Sequence, residues 1–186
     1  MEVHRAETLQ LPASLLTIGA LDGIHLGHQA LINHARKRAE RFNVPLVVYT
    51  FDPPPKVYFQ HSKLLTPLPE KLKRLEKMGV EHVVIASFDA KFLSKGTDAF
   101  IKEIKCLNPV EIWEGSDFRF GRNRDGDIHL LRKHFSVGIF EPVRCNAGEI
   151  ISSTRIRKLL SNDSMEKAEQ LLGWPIRKCD SLLSLD

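Results

Sequence analysis

The sequence predicts one α/β domain over residues 1–186, a Rossmann-like parallel sheet with helices on both faces. Three observations lead there. Short β-branched or aromatic runs alternate with amphipathic helical runs, the order that βαβ units require. The chain has 186 residues, the size of one ordinary domain, which buries roughly 70% of the surface its unfolded form exposes. No internal repeat, linker or low-complexity segment divides it.

The elements follow in order. Leu15 to Gly19 is a short apolar run ending at glycine. Leu26 to Phe42 has helical spacing, with Leu31, Ala35, Ala39 and Phe42 recurring at three- and four-residue steps. Pro45 to Phe51 is β-branched and aromatic, a buried strand. Asp52-Pro53-Pro54-Pro55 is expected to be extended loop, because proline restricts the residue before it. A helix over Glu70 to Met78 stops at Gly79, and the strand His82 to Ala86 follows. Thr97 is the expected N-cap of a helix reaching about Lys105. Glu111 to Trp113 is a short strand opening into a polar loop, Glu114 to Gly126. Val137 to Val143 is the last strand, and two helices close the chain from Ser152.

Composition narrows the function classes. No apolar run approaches the ~20 residues that span a bilayer, and no signal-peptide core follows Glu2, His4, Arg5 and Glu7. A cytoplasmic location is expected, with no membrane partner. The net charge of +4 is spread out, and its densest cluster, Arg36-Lys37-Arg38 with Arg41, falls on a solvated helix face. Without an aromatic-rich basic stripe a nucleic-acid partner is not expected, whereas a modest positive excess suits anionic small molecules. Cys106, Cys145 and Cys179 are odd in number and far apart, so disulfide and zinc frameworks are not expected.

Two motifs carry chemistry. The first junction of strand and helix reads Gly19-Ala20-Leu21-Asp22-Gly23-Ile24-His25-Leu26-Gly27-His28; neither a P-loop nor a GxGxxG occurs. A helix start offers free N–H groups and a positive dipole end. His25 and His28, three apart, would share one helical face there, and Gly27 would let a phosphate approach the backbone. The lone histidines His61, His82, His129 and His134 stand outside such motifs and read as structural. The second motif is Ile151-Ser152-Ser153-Thr154-Arg155-Ile156-Arg157 at another helix start. Capping alone accounts for its hydroxyls. The same hydroxyls with an arginine one turn in also suit an anion.

With these residues in view, the chain resembles the FMN adenylyltransferase module of bacterial FAD synthetases, within the HxGH nucleotidylyltransferases. Gly19 to Gln29, Thr50-Phe51-Asp52-Pro53, Gly115 to Gly121 (GSDFRFG) continuing to Asp127, Ile151 to Arg157, and Leu171-Leu172-Gly173 carry the likeness. The resemblance implies transfer of AMP from ATP to FMN, giving FAD and pyrophosphate. It implies that His25 and His28 contact the ATP phosphates, that Gly19, Ala20, Leu21, Asp22 and Gly23 wrap the nucleotide through their backbone, with Gly27 beside them, and that Ser153, Thr154 and Arg157 hold the departing pyrophosphate. Phe51, Asp52, Pro53, Asp117, Arg119 and Gly121 are implied near the flavin. Leu21 stands where the family usually has Phe, and Pro54 where many members have His. Most members continue into a riboflavin kinase barrel; the expectation here is that this second domain is absent and that a separate riboflavin kinase supplies FMN.

The residue types suit such a transfer. An acceptor phosphate is already anionic at neutral pH, so positioning and charge neutralisation do the work without a general base. Mg²⁺ is expected to ride on the ATP phosphates, with no dedicated protein ligands. Two other readings stay open at this point: an HxGH enzyme for another acceptor, such as phosphopantetheine or nicotinate mononucleotide, and a non-catalytic flavin or nucleotide sensor.

Overall fold

The computed structural model describes residues 1–176. The strands β1 (Glu2–Arg5), β2 (Ser14–Ile18), β3 (Leu46–Asp52), β4 (His82–Ser87), β5 (Pro109–Gly115) and β8 (Val137–Phe140) form one parallel sheet, in the order β1-β4-β3-β2-β5-β8. Helix α1 (Leu26–Phe42) joins β2 to β3. Between β3 and β4 lie α2 (Pro55–Gln60) and α3 (Leu68–Lys77), and between β4 and β5 lie α4 (Ala90–Leu93) and α5 (Thr97–Cys106). A two-stranded ribbon, β6 (Arg119–Phe120) and β7 (Gly126–Asp127), leads into α6 (Ile128–Arg132); α7 (Ser153–Ser161) and α8 (Met165–Leu172) close the domain.

Period-two alternation sorts the core onto the two faces of the sheet. Leu16, Ile18, Val47 and Tyr49 pack against Phe100, Ile101 and Ile104 of α5. Their strand neighbours Leu15, Leu46 and Val48 pack on the other face, against Ile32, Ala35 and Ala39 of α1 and Leu75 of α3. Each fully buried aliphatic side chain contributes about 1.5–3 kcal/mol. A third cluster, from Ile151 and Ile156 to Ala168 and Leu172, docks α7 on α8.

The chain steps from β2 through β3 to β4 in one direction, then places β5 on the far side of β2. The order therefore reverses at β2, where the Gly19 loop leaves the sheet. In open α/β sheets that reversal is where ligands sit.

Several sequence expectations need correction. β1 was not foreseen, because four mostly exposed residues have no core pattern until they pair with β4. The proline stretch is not extended throughout: Pro55 begins α2, since a proline at a first helical position lacks only an N–H that has no intrahelical partner anyway. The N-cap of α5 is Gly96, with Thr97 already inside the helix. The Glu114–Gly126 loop contains the β6–β7 ribbon, and the last strand stops at Phe140. No helix among the described residues is long and apolar enough to cross a membrane. Cys106 and Cys145 are free thiols, and Cys179 lies outside the described residues.

One parallel pair shows how register selects residue size. Trp113 lies opposite Gly138, and a Cβ at Gly138 would stand 2.7 Å from three atoms of the indole. Gly138→Ala should therefore lower the unfolding free energy by about 1–3 kcal/mol, as overpacking does. Urea unfolding checks this, and an unchanged midpoint would mean that the indole moves aside freely.

Candidate active site

The loop between β2 and α1 is held by its carbonyls. Lys71 Nζ donates to Ala20 O at 2.9 Å, and Thr50 Oγ1 reaches the same oxygen at 3.2 Å. Ile24 N closes a turn onto Leu21 O. Ser153 Oγ donates to Asp22 O at 2.8 Å, and Arg74 Nη1 to Gly23 O at 3.1 Å. Gln29 Nε2 and Trp174 Nε1 both donate to Ile24 O, at 2.8 and 2.9 Å. Every carbonyl from Ala20 to Ile24 thus has a donor inside the protein. The N–H groups of Ala20, Asp22 and Gly23, by contrast, have no partner among the described residues. Those of Leu26 and Gly27 are first-turn groups, which an α-helix cannot satisfy internally. A row of N–H groups without carbonyl competition is an anion cradle.

His25 and His28 meet here, though not on one helical face as their spacing suggested. His25 is the N-cap of α1, with extended backbone, and its Nδ1 accepts from His28 N at 3.3 Å. That bond places the proton of the neutral His25 ring on Nε2. The two rings stack with centroids 3.6 Å apart, and Nδ1 of His28 is buried without a partner among the described residues. Burial lowers His25 to a pKa of about 4, and burial, His25 and Lys71, in that order, hold His28 well below the usual imidazole range. Both rings are neutral at pH 7, so they offer hydrogen bonds rather than charge. The space beside Gly27 is filled: a Cβ there would lie 3.2 Å from the His25 ring. Its missing side chain therefore also seats the imidazole.

The second motif arrives beside the first. Ser152 caps α7, accepting from Arg155 N at 3.3 Å, and Ser153 reaches back to Asp22. Arg157 pairs with the Asp22 carboxylate through Nη2 and donates from Nε to Lys63 O at 2.9 Å. The same carboxylate accepts from Leu65 N and Thr66 N at 3.1 Å. Burial pushes the Asp22 pKa up, opposed first by Arg157. Thr154 is exposed and accepts from Lys56 Nζ, a cation the sequence reading did not single out. It also passed over Lys71, which is 1% exposed and joins the loop to β3 through Phe51 O at 3.2 Å. No sequence pattern marks Lys71; it sits on α3 like any surface lysine.

The residues expected near the flavin fall into two groups. Phe51, at the end of β3, packs in a cluster with Tyr49, Phe88 and Phe92, and Asp52 and Pro53 follow it. Arg119 and Asp127 are opposite one another across the β6–β7 ribbon and pair at 3.1 Å, while Asp117 is exposed. Phe120 lies over Gly126, and Gly121 (φ 75°) packs on Thr97, where a Cβ would stand 2.7 Å from Cγ2. Much of the GSDFRFG signature is therefore ribbon packing. Glu114 adds a buried carboxyl that accepts from Ile18 N, just before Gly19; burial pushes its pKa well up. Leu172 O accepts from Gln29 Nε2 at 2.7 Å and Gly173 packs on Leu26, which ties Leu171-Leu172-Gly173 to the first motif. A cavity of about 560 Å³ lies elsewhere, against β1 and β4, and none of the motif residues lines it. Among the described residues, no three His, Cys, Asp or Glu side chains converge on the loop as metal ligands.

Similarity to known proteins shows the family. A family model described as FAD synthetase matches residues 8–155. A Geobacillus thermodenitrificans protein named "Putative bifunctional riboflavin kinase/FMN adenylyltransferase" is 50% identical over 95% of this chain and 99% of its own length. The Haemophilus influenzae bifunctional riboflavin kinase/FMN adenylyltransferase is 38% identical over 94% of this chain, and the match spans 59% of that protein. Among solved structures, one titled as a macrolide-efflux protein from Streptococcus pneumoniae superposes with a TM-score of 0.81. It is 32% identical and covers 93% of this chain and 62% of its own.

Two expectations follow from the site's buried charges. Arg157→Ala would leave the Asp22 carboxylate buried and unpaired, which should cost about 3 kcal/mol of stability. A loss under roughly 0.5 kcal/mol on urea unfolding, the size typical of exposed pairs, would mean that water screens the pair. The histidines predict the pH dependence. His25 binds a proton near pH 6.5 when unfolded but only near pH 4 when folded. The unfolded state therefore binds more protons across that window, and stability falls as pH drops from 6.5 to 4, by about 3 kcal/mol from this group. His28 adds to the same slope. Urea midpoints measured between pH 4 and 8 check it, and His25→Asn, which keeps an N-cap, should flatten the curve.

Proposed function

Because the chain belongs to the FAD synthetase family, we infer that it transfers AMP from ATP to FMN, giving FAD and pyrophosphate. The observation that carries this at the level of geometry is the β2–α1 loop, with every carbonyl from Ala20 to Ile24 bonded within the protein beside two stacked neutral imidazoles. A phosphate oxygen of FMN attacks the α-phosphorus in line. The new P–O bond forms as the bond to the bridging oxygen breaks, and pyrophosphate leaves with that electron pair. The acceptor oxygen is already anionic, so no proton has to be removed.

We assign the parts as follows. The N–H groups of Ala20, Asp22 and Gly23 and those of Leu26 and Gly27 cradle the nucleotide phosphates, while the Gly19 N–H stays bonded to Tyr49 O in the sheet. His25, whose Nε2 carries the proton, and His28 donate to oxygens at the reacting phosphorus. Ser153, Thr154 and Arg157 hold the β- and γ-phosphates. Arg157 Nη1 makes no hydrogen bond among the described residues, which leaves it for a phosphate while its other nitrogens hold the loop. Positive charge comes from Arg157, Lys56 and the buried Lys71, since the imidazoles are neutral. Phe51, Asp52, Pro53, Asp117, Arg119 and Gly121 form the flavin side.

Mg²⁺ fits this site as a companion of ATP. The Asp22 carboxylate is engaged by Arg157 and two backbone N–H groups, so the metal's ligands would be phosphate oxygens and water. Bound there, it would neutralise phosphate charge. FMN would come from a riboflavin kinase reaction, and we place the protein in the cytoplasm with no nucleic-acid or membrane partner.

Incubation with ATP, Mg²⁺ and FMN, followed by chromatography, should show FAD and pyrophosphate. Absence of FAD at saturating substrates would favour a non-catalytic nucleotide-binding module. His28→Ala should lose ~10²–10³ in kcat, as loss of one preorganised donor does. Its ATP affinity should change far less, because the donor acts mainly as charge grows in the transition state. Steady-state kinetics with calorimetric ATP titration separates this from a merely packed ring, which predicts near-normal turnover per folded molecule.

A further inference from the structure

The far edge of the sheet carries a second convergent set of groups. β1 pairs with β4, with Glu2 opposite His82 and His4 opposite Val84. Strand residues two apart share a face, and register partners on adjacent strands share it too. Glu2, His4 and His82 therefore emerge together. His4 Nε2 lies 3.2 Å from His82 Nδ1, and Glu2 Oε2 lies 3.5 Å from the first and 3.6 Å from the second.

We propose that Glu2, His4 and His82 form a divalent transition-metal site of the class that takes Zn²⁺. Zinc bonds of about 2.0–2.1 Å around a tetrahedron set neighbouring donors roughly 3.3 Å apart. The three observed edges lie close to that length, as one face of such a tetrahedron. Two imidazoles and one carboxylate suit a borderline metal rather than Mg²⁺ or Ca²⁺, which take oxygen ligands.

A plain hydrogen bond between the rings accounts for the 3.2 Å contact alone. The carboxylate contacts are too long for hydrogen bonds, yet all three atoms lie close enough together for one cation to bind them at once. The two histidine side chains are 20% and 17% exposed, so solvent reaches the site and water would take the fourth position. The metal would fasten edge strand β1 to β4. This also revises His82, whose isolation in the sequence read as structural.

The test uses the full chain without a histidine tag, stripped with a chelator and titrated with Zn²⁺ by calorimetry. One zinc per chain is expected, with a raised thermal midpoint. Loss of a direct ligand should weaken binding at least as much as loss of an outer-shell partner, about tenfold or more, in each of Glu2→Gln, His4→Gln and His82→Gln. Circular dichroism serves as the folding control. Glu2→Gln keeps the test decisive should His82→Gln misfold, because the Glu2 side chain is 71% exposed. FAD formation with Mg²⁺ should be unchanged in the folded variants. Absence of zinc binding, or wild-type affinity in both Glu2→Gln and His4→Gln, would overturn the site.

Discussion

The active-site loop depends on the capture of its backbone carbonyls by donors from other elements. Buried peptide groups must be paired, and here the acceptor half is paired inward by Lys71 of α3, Arg74 of α3, Ser153 of α7, Gln29 of α1 and Trp174. The N–H groups of Ala20, Asp22 and Gly23 are left without partners among the described residues. One consequence is preorganisation: the loop need not reorient when a phosphate arrives. Another is that α3, α7 and the segment after α8 hold the loop's shape through its carbonyls.

The two imidazoles are desolvated and neutral, so positive charge at the motifs is carried by Lys71, by Arg157 on Asp22 and by Lys56 on Thr154. Lys71 is itself pulled down by burial and held up by Asp22 and Asp52. A buried ammonium tied to one oxygen of the loop and two of β3 fixes the loop relative to that strand. Asp22 does the same on the other side, between α7 and the segment around Leu65. These opposed charges keep the cradle rigid and leave the positive excess for the anionic substrates.

The family signatures serve packing as much as recognition. Gly126 gives Phe120 its seat, Gly121 lets the ribbon rest on α5, Gly27 seats the His25 ring, and Gly173 fits against Leu26. A motif that is distinctive in sequence therefore marks where backbone comes close to another element.

Sequence alone determined the α/β class, the order of the main strands and helices, and the pairing of HxGH with a second helix start. Those features follow from local rules: alternation along a strand, spacing along a helix, capping chemistry at a helix start. Tertiary structure decided the rest, because parallel pairing and desolvation join residues far apart in the chain. β1 exists only through its register with β4, which also brings Glu2 and His4 to His82. Lys71 is marked by nothing in its own helix and becomes a buried cation only because the loop after β2 folds over it. The protonation of His25 and His28 and the partnership of Arg157 with Asp22 depend likewise on how much water the surrounding elements exclude. Burial is a property of the assembled molecule, and a sequence pattern does not carry it.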